Sequence, residues 1–419
     1  MNDRPQSTGQ PTTGQPGVEG SGKARDTHPV RRGKVMWIWH AAVVAEYQKP
    51  LSVLADCCNL DVTLLVPRRW PERAGQMVRA EDPAIRNFRL LKAQTVFTGF
   101  YYIYFFPGLL YYLLRYRPDI IYCYEEAHTF IAVCVLALRR LFLPRSVVLL
   151  YAAQNIKKRY PLPFRLFESY CFKRADSILA CGARVAETLR SKGYRRDLRV
   201  VPLPVDAGAF CPDPDLRTRA RRLLSLPDNA SVVGYVGKLV EEKGLRTLWW
   251  AFAEVAAERK DLHLLLAGGG PLLDELRASA KQAGLEDRLR TPGVVHNTDL
   301  PMYLNALDAF VLPSETRPNW REQFGRALVE AMSCGIPSIG SDSGEIPAVA
   351  GDGALIFHEG DAHALADQLR HLLLDPASAA DLARKGRERV LSLFTIEKVA
   401  AQHYAIYERF LGQKRRAKD

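Results

Sequence analysis

The sequence predicts an α/β protein made of two successive halves, each a parallel sheet flanked by helices. Three observations lead there. Short apolar runs of strand length alternate with longer stretches whose apolar residues recur at helical spacing, the pattern of βαβ units. The chain has 419 residues, enough for two domains and a tail at about 150 residues per domain. A proline-punctuated joint, Pro202-Leu203-Pro204-Val205-Asp206, falls near the middle, and Cys211-Pro212-Asp213-Pro214-Asp215 after it has loop composition.

Bulk properties narrow the function classes. Hydrophobic residues make up 47% and charged residues 25% of the chain, so each half can bury a core. The net charge of +12 suits anionic lipid, phosphorylated substrates or nucleic acid. No zinc-finger, helix-turn-helix or RNP pattern is present, which sets nucleic acid aside as a partner. The 8 cysteines, among them Cys57, Cys58, Cys123 and Cys334, are scattered without metal-ligand spacing. They read as reduced thiols, and no metal site is expected. The first residues carry no apolar stretch of a secretory signal. The expected location is cytoplasmic, with attachment to the cytoplasmic face of a membrane as an added expectation.

Taken in order, residues 1–33 are rich in Gly, Pro, Gln, Thr and Ser and read as a disordered tail. Lys34–Trp39 is a strand, Glu46–Ala55 a helix and Val62–Val66 a second strand, a βαβ opening. Val96–Leu114 carries no charge and is almost long enough to span a bilayer. Pro107-Gly108 interrupts it, and its many tyrosines favour an interface. It reads as packed core or acceptor groove, with a membrane-surface patch as the alternative.

The strand Asp119–Tyr124 ends in Glu125-Glu126-Ala127-His128. Neighbouring side chains on extended chain point to opposite sides, so at most one of the two carboxylates faces a given ligand; a solvated acidic turn is the other reading. The strand Ser146–Tyr151 leads into Gln154-Asn155-Ile156-Lys157-Lys158-Arg159-Tyr160-Pro161. Amides beside cations suit a hydroxylated or phosphorylated acceptor, and equally a basic surface loop. Helices at Glu168–Arg174 and Ala183–Lys192 and strands at Asp176–Cys181 and Leu198–Val201 complete the first half.

The second half opens with the strand Ser231–Gly237, then Lys238-Leu239-Val240-Glu241-Glu242-Lys243-Gly244 and a helix through Thr247, Trp250 and Phe252. Leu262–Ala267 is a strand. The Gly268-Gly269-Gly270 after it lacks the spacing of a dinucleotide loop and reads as a plain turn. Leu289–Val295 is a short strand and loop, and Asp299–Ala306 a helix. Strands at Ala309–Ser314, Ile336–Ser341 and Ala354–Phe357, then helices at Asp361–Leu374, Ala377–Phe394 and Ile396–Leu411, finish the chain. Lys414-Arg415-Arg416-Ala417-Lys418 is a cationic end drawn to water or lipid.

Between two of those strands lies Arg321-Glu322-Gln323-Phe324-Gly325-Arg326-Ala327-Leu328-Val329-Glu330. Leu328, Val329 and Met332 recur at helical spacing, and Gly335-Ile336-Pro337 stops the helix. Eight positions at helical rise separate Glu322 from Glu330 by roughly 12 Å at most, about the reach of a sugar diphosphate joined to a ribose. Free N–H groups around Phe324, Gly325 and Arg326 suit a phosphate between the two acids, and Gly325 admits close approach.

With its neighbours, this stretch resembles the retaining family 4 glycosyltransferases (glycosyl transferases group 1), marked by E-x7-E. It is similar to a subgroup carrying Trp-x-Glu-Gln-Phe-Gly-Arg, here Trp320–Arg326, continued by Glu330-Ala331-Met332-Ser333-Cys334-Gly335-Ile336-Pro337 and Gly340-Ser341-Asp342-Ser343-Gly344-Glu345-Ile346-Pro347. The resemblance implies a GT-B fold, two Rossmann-like domains facing across a cleft. It divides the chain into a tail (1–33), an acceptor domain (34–204), a nucleotide-sugar domain (205–390) and a helix crossing back with a basic tail (391–419). It implies transfer of a hexose from a nucleoside-diphosphate sugar to a glycan or lipid-linked hydroxyl, in cell-envelope glycan, exopolysaccharide or glycolipid synthesis. Retention at the anomeric carbon is implied, with no metal and no cofactor. A nucleotide-sugar epimerase of the same fold is the alternative.

By motif match Glu322 is catalytic, with Lys238 and Lys243 holding the departing diphosphate. Gly237, Gln323, Phe324, Gly325, Arg326 and Glu330 bind the nucleotide sugar. The family's usual Arg is here Lys238, a point charge instead of a fork. On the acceptor side the family's Gly-rich first loop is replaced by His40-Ala41-Ala42-Val43-Val44, and its usual His by Tyr124. His40, Tyr124, Glu125, Glu126, Gln154 and Asn155 are the candidates there.

Overall fold

The structure is a computed structural model that describes residues 32–57, 60–71, 77–83, 85 and 87–416. The expected tail up to residue 31, Cys58 and the last residues of the basic end lie outside the described residues.

The first half contributes β1 (Gly33–Ile38), β2 (Leu60–Pro67), a two-stranded ribbon of β3 (Arg69–Pro71) and β4 (Met77–Arg79), then β5 (Arg89–Ala93), β6 (Ile120–Cys123), β7 (Val147–Ala152), β8 (Ser177–Ala180) and β9 (Asp197–Val200). Its helices are α1 (Lys49–Cys57), α2 (Leu109–Tyr116), α3 (Phe130–Phe142), α4 (Phe164–Arg174) and α5 (Ala183–Ser191). The second half holds β10 (Ser231–Val236), β11 (Leu262–Ala267), β12 (Leu289–Gly293), β13 (Ala309–Leu312), β14 (Ser338–Ser341) and β15 (Leu355–Phe357). Around them lie α6 (Pro214–Leu223), α7 (Leu245–Glu258), α8 (Leu273–Gln282), α9 (Leu300–Asn305), α10 (Arg326–Ser333), α11 (Ile346–Ala350), α12 (Ala362–Leu374), α13 (Pro376–Leu393) and the long α14 (Ile396–Arg416).

Both large sheets are parallel and doubly wound, in the orders β5-β2-β1-β6-β7-β8-β9 and β12-β11-β10-β13-β14-β15. In each, the chain works outward from its first strand and then restarts on the other side. The switch points therefore fall between β1 and β6 and between β10 and β13. In such sheets the crevice at the carboxyl ends of those strands takes the ligand. The central strands read as continuous apolar runs because helices cover both faces.

One core runs from Val35 to Val201 and takes in Val399, Ala400 and Tyr407 of α14. The other runs from Val205 to Phe394. The chain crosses between the halves twice, and the crossings pair with each other: Val205 N–H donates to Phe394 O at 2.8 Å and Ile396 N–H to Val205 O at 3.2 Å. From there α14 packs on α1.

One expectation needs correction. The loop read at residues 211–215 is in part the start of α6: Asp213 accepts from the N–H groups of Asp215 and Leu216, and Pro214 opens the helix. Asp as cap and Pro in the first turn are helix-start signals, masked by the surrounding prolines. The aromatic run 96–114, read as packed core or acceptor groove, folds as turns leading into α2, with Tyr104 and Phe106 in the core. No described helix is long and apolar enough to cross a membrane.

Close backbone packing shapes the second switch point. A Cβ on Gly268 would lie 1.8 Å from Gly237 O, and one on Gly244 would lie 1.9 Å from Pro313 O, with φ +64° at Gly244. Gly244 thus locks the loop after β10 against the end of β13. Gly244→Ala combines a clash with a left-handed backbone and should destabilise the fold by about 2 kcal/mol or more, read as a lower denaturant midpoint.

At the first sheet, Glu126 ties the ends of β6 and β7. Its Oε1 accepts from Ala153 N–H at 2.7 Å and Gln154 N–H at 3.0 Å. Burial pushes its pKa up to about 7 against the pull of those two donors. A carboxyl raised in the fold gives stability that is full below about 4.5 and is lost as pH rises to about 7, worth roughly 3 kcal/mol at most. Glu126→Gln keeps an acceptor for both N–H groups. Its stability relative to the wild type should rise between pH 4.5 and 7 in denaturant titrations; parallel curves would refute this.

Candidate active site at the second switch point

Loops following β10 and β13 bring the central acid and base together. Glu322 Oε2 accepts from Lys243 Nζ at 2.6 Å and from Ser314 Oγ at 2.7 Å, and Glu322 is 8% exposed. Lys243 ends a short 3-10 turn, Glu241–Lys243, closed by Gly244. Its ammonium lies 4.6 Å from the centre of the Trp320 ring. Trp320 is held by reciprocal backbone bonds with Arg317, at 2.8 and 3.2 Å. An ammonium over an aromatic face and beside a carboxylate is fixed in position.

The backbone of Glu322 is fixed just as tightly. Its carbonyl accepts from Asn155 Nδ2 at 2.7 Å, across from the first half, and from Glu345 N–H at 3.1 Å. Beyond it α10 begins. Gly325, at φ +86°, turns the chain into the helix, whose first N–H groups have no acceptor inside it. One turn on, Glu330 is 5% exposed and accepts from Arg326 Nε at 2.9 Å. The Arg326 guanidinium also lies 5.2 Å from the Tyr47 ring of the first half.

The remaining donor-side candidates divide. The Phe324 ring is core, edge-on to Phe394 at 5.8 Å, so only its backbone is available to a ligand. The Gln323 side chain is exposed, and its carbonyl accepts from Cys181 Sγ at 3.7 Å. Gly237, at φ +151°, adjoins Lys238. Lys238 is exposed, and its ammonium has no ion-pair partner among the described residues.

The acceptor-side candidates are mostly tied to one another. Glu125 is 1% exposed and accepts from the backbone N–H of His40 at 3.0 Å and from Tyr104 Oη at 2.7 Å; its Oε1 also lies 2.6 Å from His40 Nδ1. His40 therefore bonds inward at Nδ1, with its ring against Trp70 at 4.8 Å. Glu126 is engaged as described above. Tyr124 is sandwiched between Tyr151 at 4.0 Å and Trp37 at 5.5 Å. Gln154 Oε1 accepts from Ile156 N–H. Asn155 reaches Glu322, and its buried Oδ1 has no hydrogen-bond partner.

Sequence reasoning passed over three contributors. Ser314 was visible only as the end of an apolar run, and Trp320 only as a motif letter. Glu345 is 1% exposed and reaches into the first half, where its carboxylate accepts from Arg184 N–H at the start of α5. Burial pushes its pKa up while the N–H groups of Arg184, Ala183 and Val185 pull it down. A Cβ on Gly182 would sit 2.4 Å from Glu345 Cδ, so glycine makes room for the carboxylate. Among the described residues no cluster of three or more His, Cys, Asp or Glu is placed to hold a metal ion.

Comparison with known proteins finds relatives for both halves. Residues 217–389 match the model for glycosyl transferases group 1, and residues 59–208 that for Glycosyltransferase Family 4. A 2-deoxystreptamine glucosyltransferase of Streptomyces kanamyceticus is 31% identical over 253 residues, 59% of this chain and 64% of that protein. A GDP-mannose-dependent alpha-(1-6)-phosphatidylinositol monomannoside mannosyltransferase of Mycolicibacterium smegmatis is 32% identical over 198 residues, 46% of this chain and 52% of that one. The matches thus span about half to two thirds of these relatives' lengths.

In fold, the chain is similar to sucrose-phosphate synthase of Thermosynechococcus elongatus, with TM-score 0.70 and 22% identity, over 91% of this chain and all of that one. It is also similar to Anabaena Alr3699/HepE in complex with UDP and glucose, with TM-score 0.67 and 18% identity, over 90% of this chain and all of that one. None of the relatives named is an epimerase. Through both halves, the chain belongs to the glycosyltransferases of family 4 and group 1, with the GT-B fold.

Proposed function

We propose that this protein moves a hexose from a nucleoside-diphosphate sugar to an acceptor hydroxyl with retention at the anomeric carbon. The observation that carries the reading is the Lys243–Glu322 pair, set beside the start of α10 and bridged to the first half by Asn155. The diphosphate would take the helix N-terminus together with Lys243 and Lys238. Glu330, fixed by Arg326, would accept from ribose hydroxyls. The relative solved with UDP and glucose supports a donor of this class.

The donor's C–O bond breaks with its electron pair leaving on the diphosphate, where the two lysines stabilise the added charge. They supply the neutralisation that a divalent ion would otherwise give. The acceptor oxygen bonds to the anomeric carbon on the same face, so the departing phosphate oxygen is the base nearest its proton. The Glu322 carboxylate faces the positive charge that develops on the sugar.

The acceptor is proposed to be a glycan or lipid-linked molecule of cell-envelope, exopolysaccharide or glycolipid synthesis, met at the cytoplasmic face of a membrane. The phosphatidylinositol mannoside relative supports a lipid setting. So do the exposed Phe97, Phe100, Tyr102 and Tyr111 of the aromatic segment.

A thermal-shift screen of nucleoside-diphosphate sugars tests the reading, since a true donor stabilises the fold by mass action. With that donor, Glu322→Gln should lower transfer by about 10²–10³ while the nucleoside diphosphate binds within about three-fold of wild type. Near-normal transfer by the variant would remove Glu322 from the chemistry.

A further inference from the structure

Away from Glu322, a second cavity opens on the first half. It has a volume of about 640 Å³ and lies between the 157–160 loop, α4 and the turn from α5 to β9. Lysines and arginines make up most of its wall, and Glu168 is the single acid lining it. That acid is already neutralised, because Lys192 Nζ bonds to it and also lies 4.6 Å from the Tyr160 ring. Lys157, Lys158, Arg159, Arg165 and Lys173 have no carboxylate partner among the described residues.

Unpaired cations gathered around one hollow repel one another, and an anion inside it relieves that repulsion. Elsewhere on this chain arginines find acids readily, as Arg246 and Arg370 do. The floor holds aromatic groups: Tyr160, stacked on His128 at 4.1 Å, and Phe172.

Its position relative to the cleft is set by one short loop. Asn155 touches the backbone of Glu322, and its buried Oδ1 has no partner. Lys158 follows three residues later, at most about 11 Å of extended chain. A molecule spanning that distance would present a hydroxyl at Asn155 and Glu322 while an anionic group on it occupied the cavity.

We propose that this cavity seats a phosphate or pyrophosphate group carried by the acceptor, with Lys158 and Arg165 as principal ligands. Calling that molecule the acceptor rests on the transferase reading above; binding of the anion itself does not. Phosphate on a soluble glycan and phosphate on a lipid carrier share this chemistry.

The test is calorimetric titration of the full chain with inorganic pyrophosphate at constant ionic strength. Wild type should show two binding events. Lys158→Ala/Arg165→Ala should weaken one by about ten-fold or more, as loss of two charge-assisted contacts requires. Lys243→Ala should weaken the other. Unchanged binding in the double variant overturns the proposal. A lost Lys243-dependent event alone would count against the cleft reading and leave the cavity standing.

Melting temperatures check folding, and Lys157→Ala/Lys173→Ala serves as a second pair should the first melt early. Addition of phosphatidylglycerol vesicles separates the sources. Pyrophosphate binding that survives without vesicles supports a phosphate ligand. Vesicle co-sedimentation lost in the double variant, with no pyrophosphate event at the cavity, means that the cavity reads a membrane surface, which overturns the proposal.

Discussion

The Lys243–Glu322 ion pair is the constraint that the rest of the second half satisfies. A carboxylate and an ammonium withdrawn from water lose hydration, and they persist only where other groups complete their hydrogen bonds. Ser314 supplies one such bond to Glu322, and the Trp320 face lies against Lys243. Both partners ride on loops that cross the β10–β13 switch point, and those loops meet at backbone distance. Gly244 lies on Pro313 O and Gly344 on Glu322 O, each so close that a Cβ would fall within 1.9 Å of the oxygen. The lysine neutralises the acid. On the donor assignment proposed above, an incoming diphosphate would compete for the lysine and leave the carboxylate to the sugar, so that one shared cation would couple the two.

Much of this was readable from the chain because the relevant signals are local. Fully buried parallel strands write themselves as apolar runs, so β1, β10 and β13 were evident within a residue or two. The α10 helix, its glycine entry and the two glutamates lie within one short stretch. Local signals also explain the misses. Arg89–Ala93, the edge strand β5, carries a cation at each side of Leu90-Leu91, so no run stands out. The ribbon β3–β4 is too short to show a period.

Contacts between distant residues were out of reach for another reason. His40 and Glu125 are 85 positions apart, and nothing in either loop specifies that they bond. That pairing turned two acceptor candidates into supports for each other. The doubly wound order places β1 beside β6 and so makes the pairing inevitable, but only after the sheet is formed. The basic cavity is hidden in part in the same way: the 157–160 cations already suited a phosphorylated acceptor, but the cations of α4 and of the turn from α5 to β9 join them only in the fold.

The two halves touch through polar groups gathered around the site. Asn155 bonds to Glu322 O, Cys181 to Gln323 O, Glu345 to the start of α5, Arg326 lies over Tyr47, and Lys49 pairs with Asp206 at 2.6 Å. The apolar cores stay separate, apart from the helix α14 that belongs to the first. Interfaces of this kind slide more readily than a shared core, whose close packing resists displacement. These interdomain contacts are therefore neighbours of the Lys243–Glu322 pair and of Glu330. Arg326 illustrates the consequence: one guanidinium fixes Glu330 and faces Tyr47 of the other half. On the proposed assignment of Glu330 to the donor ribose, whatever repositions Glu330 would also act on the interdomain contact through Arg326.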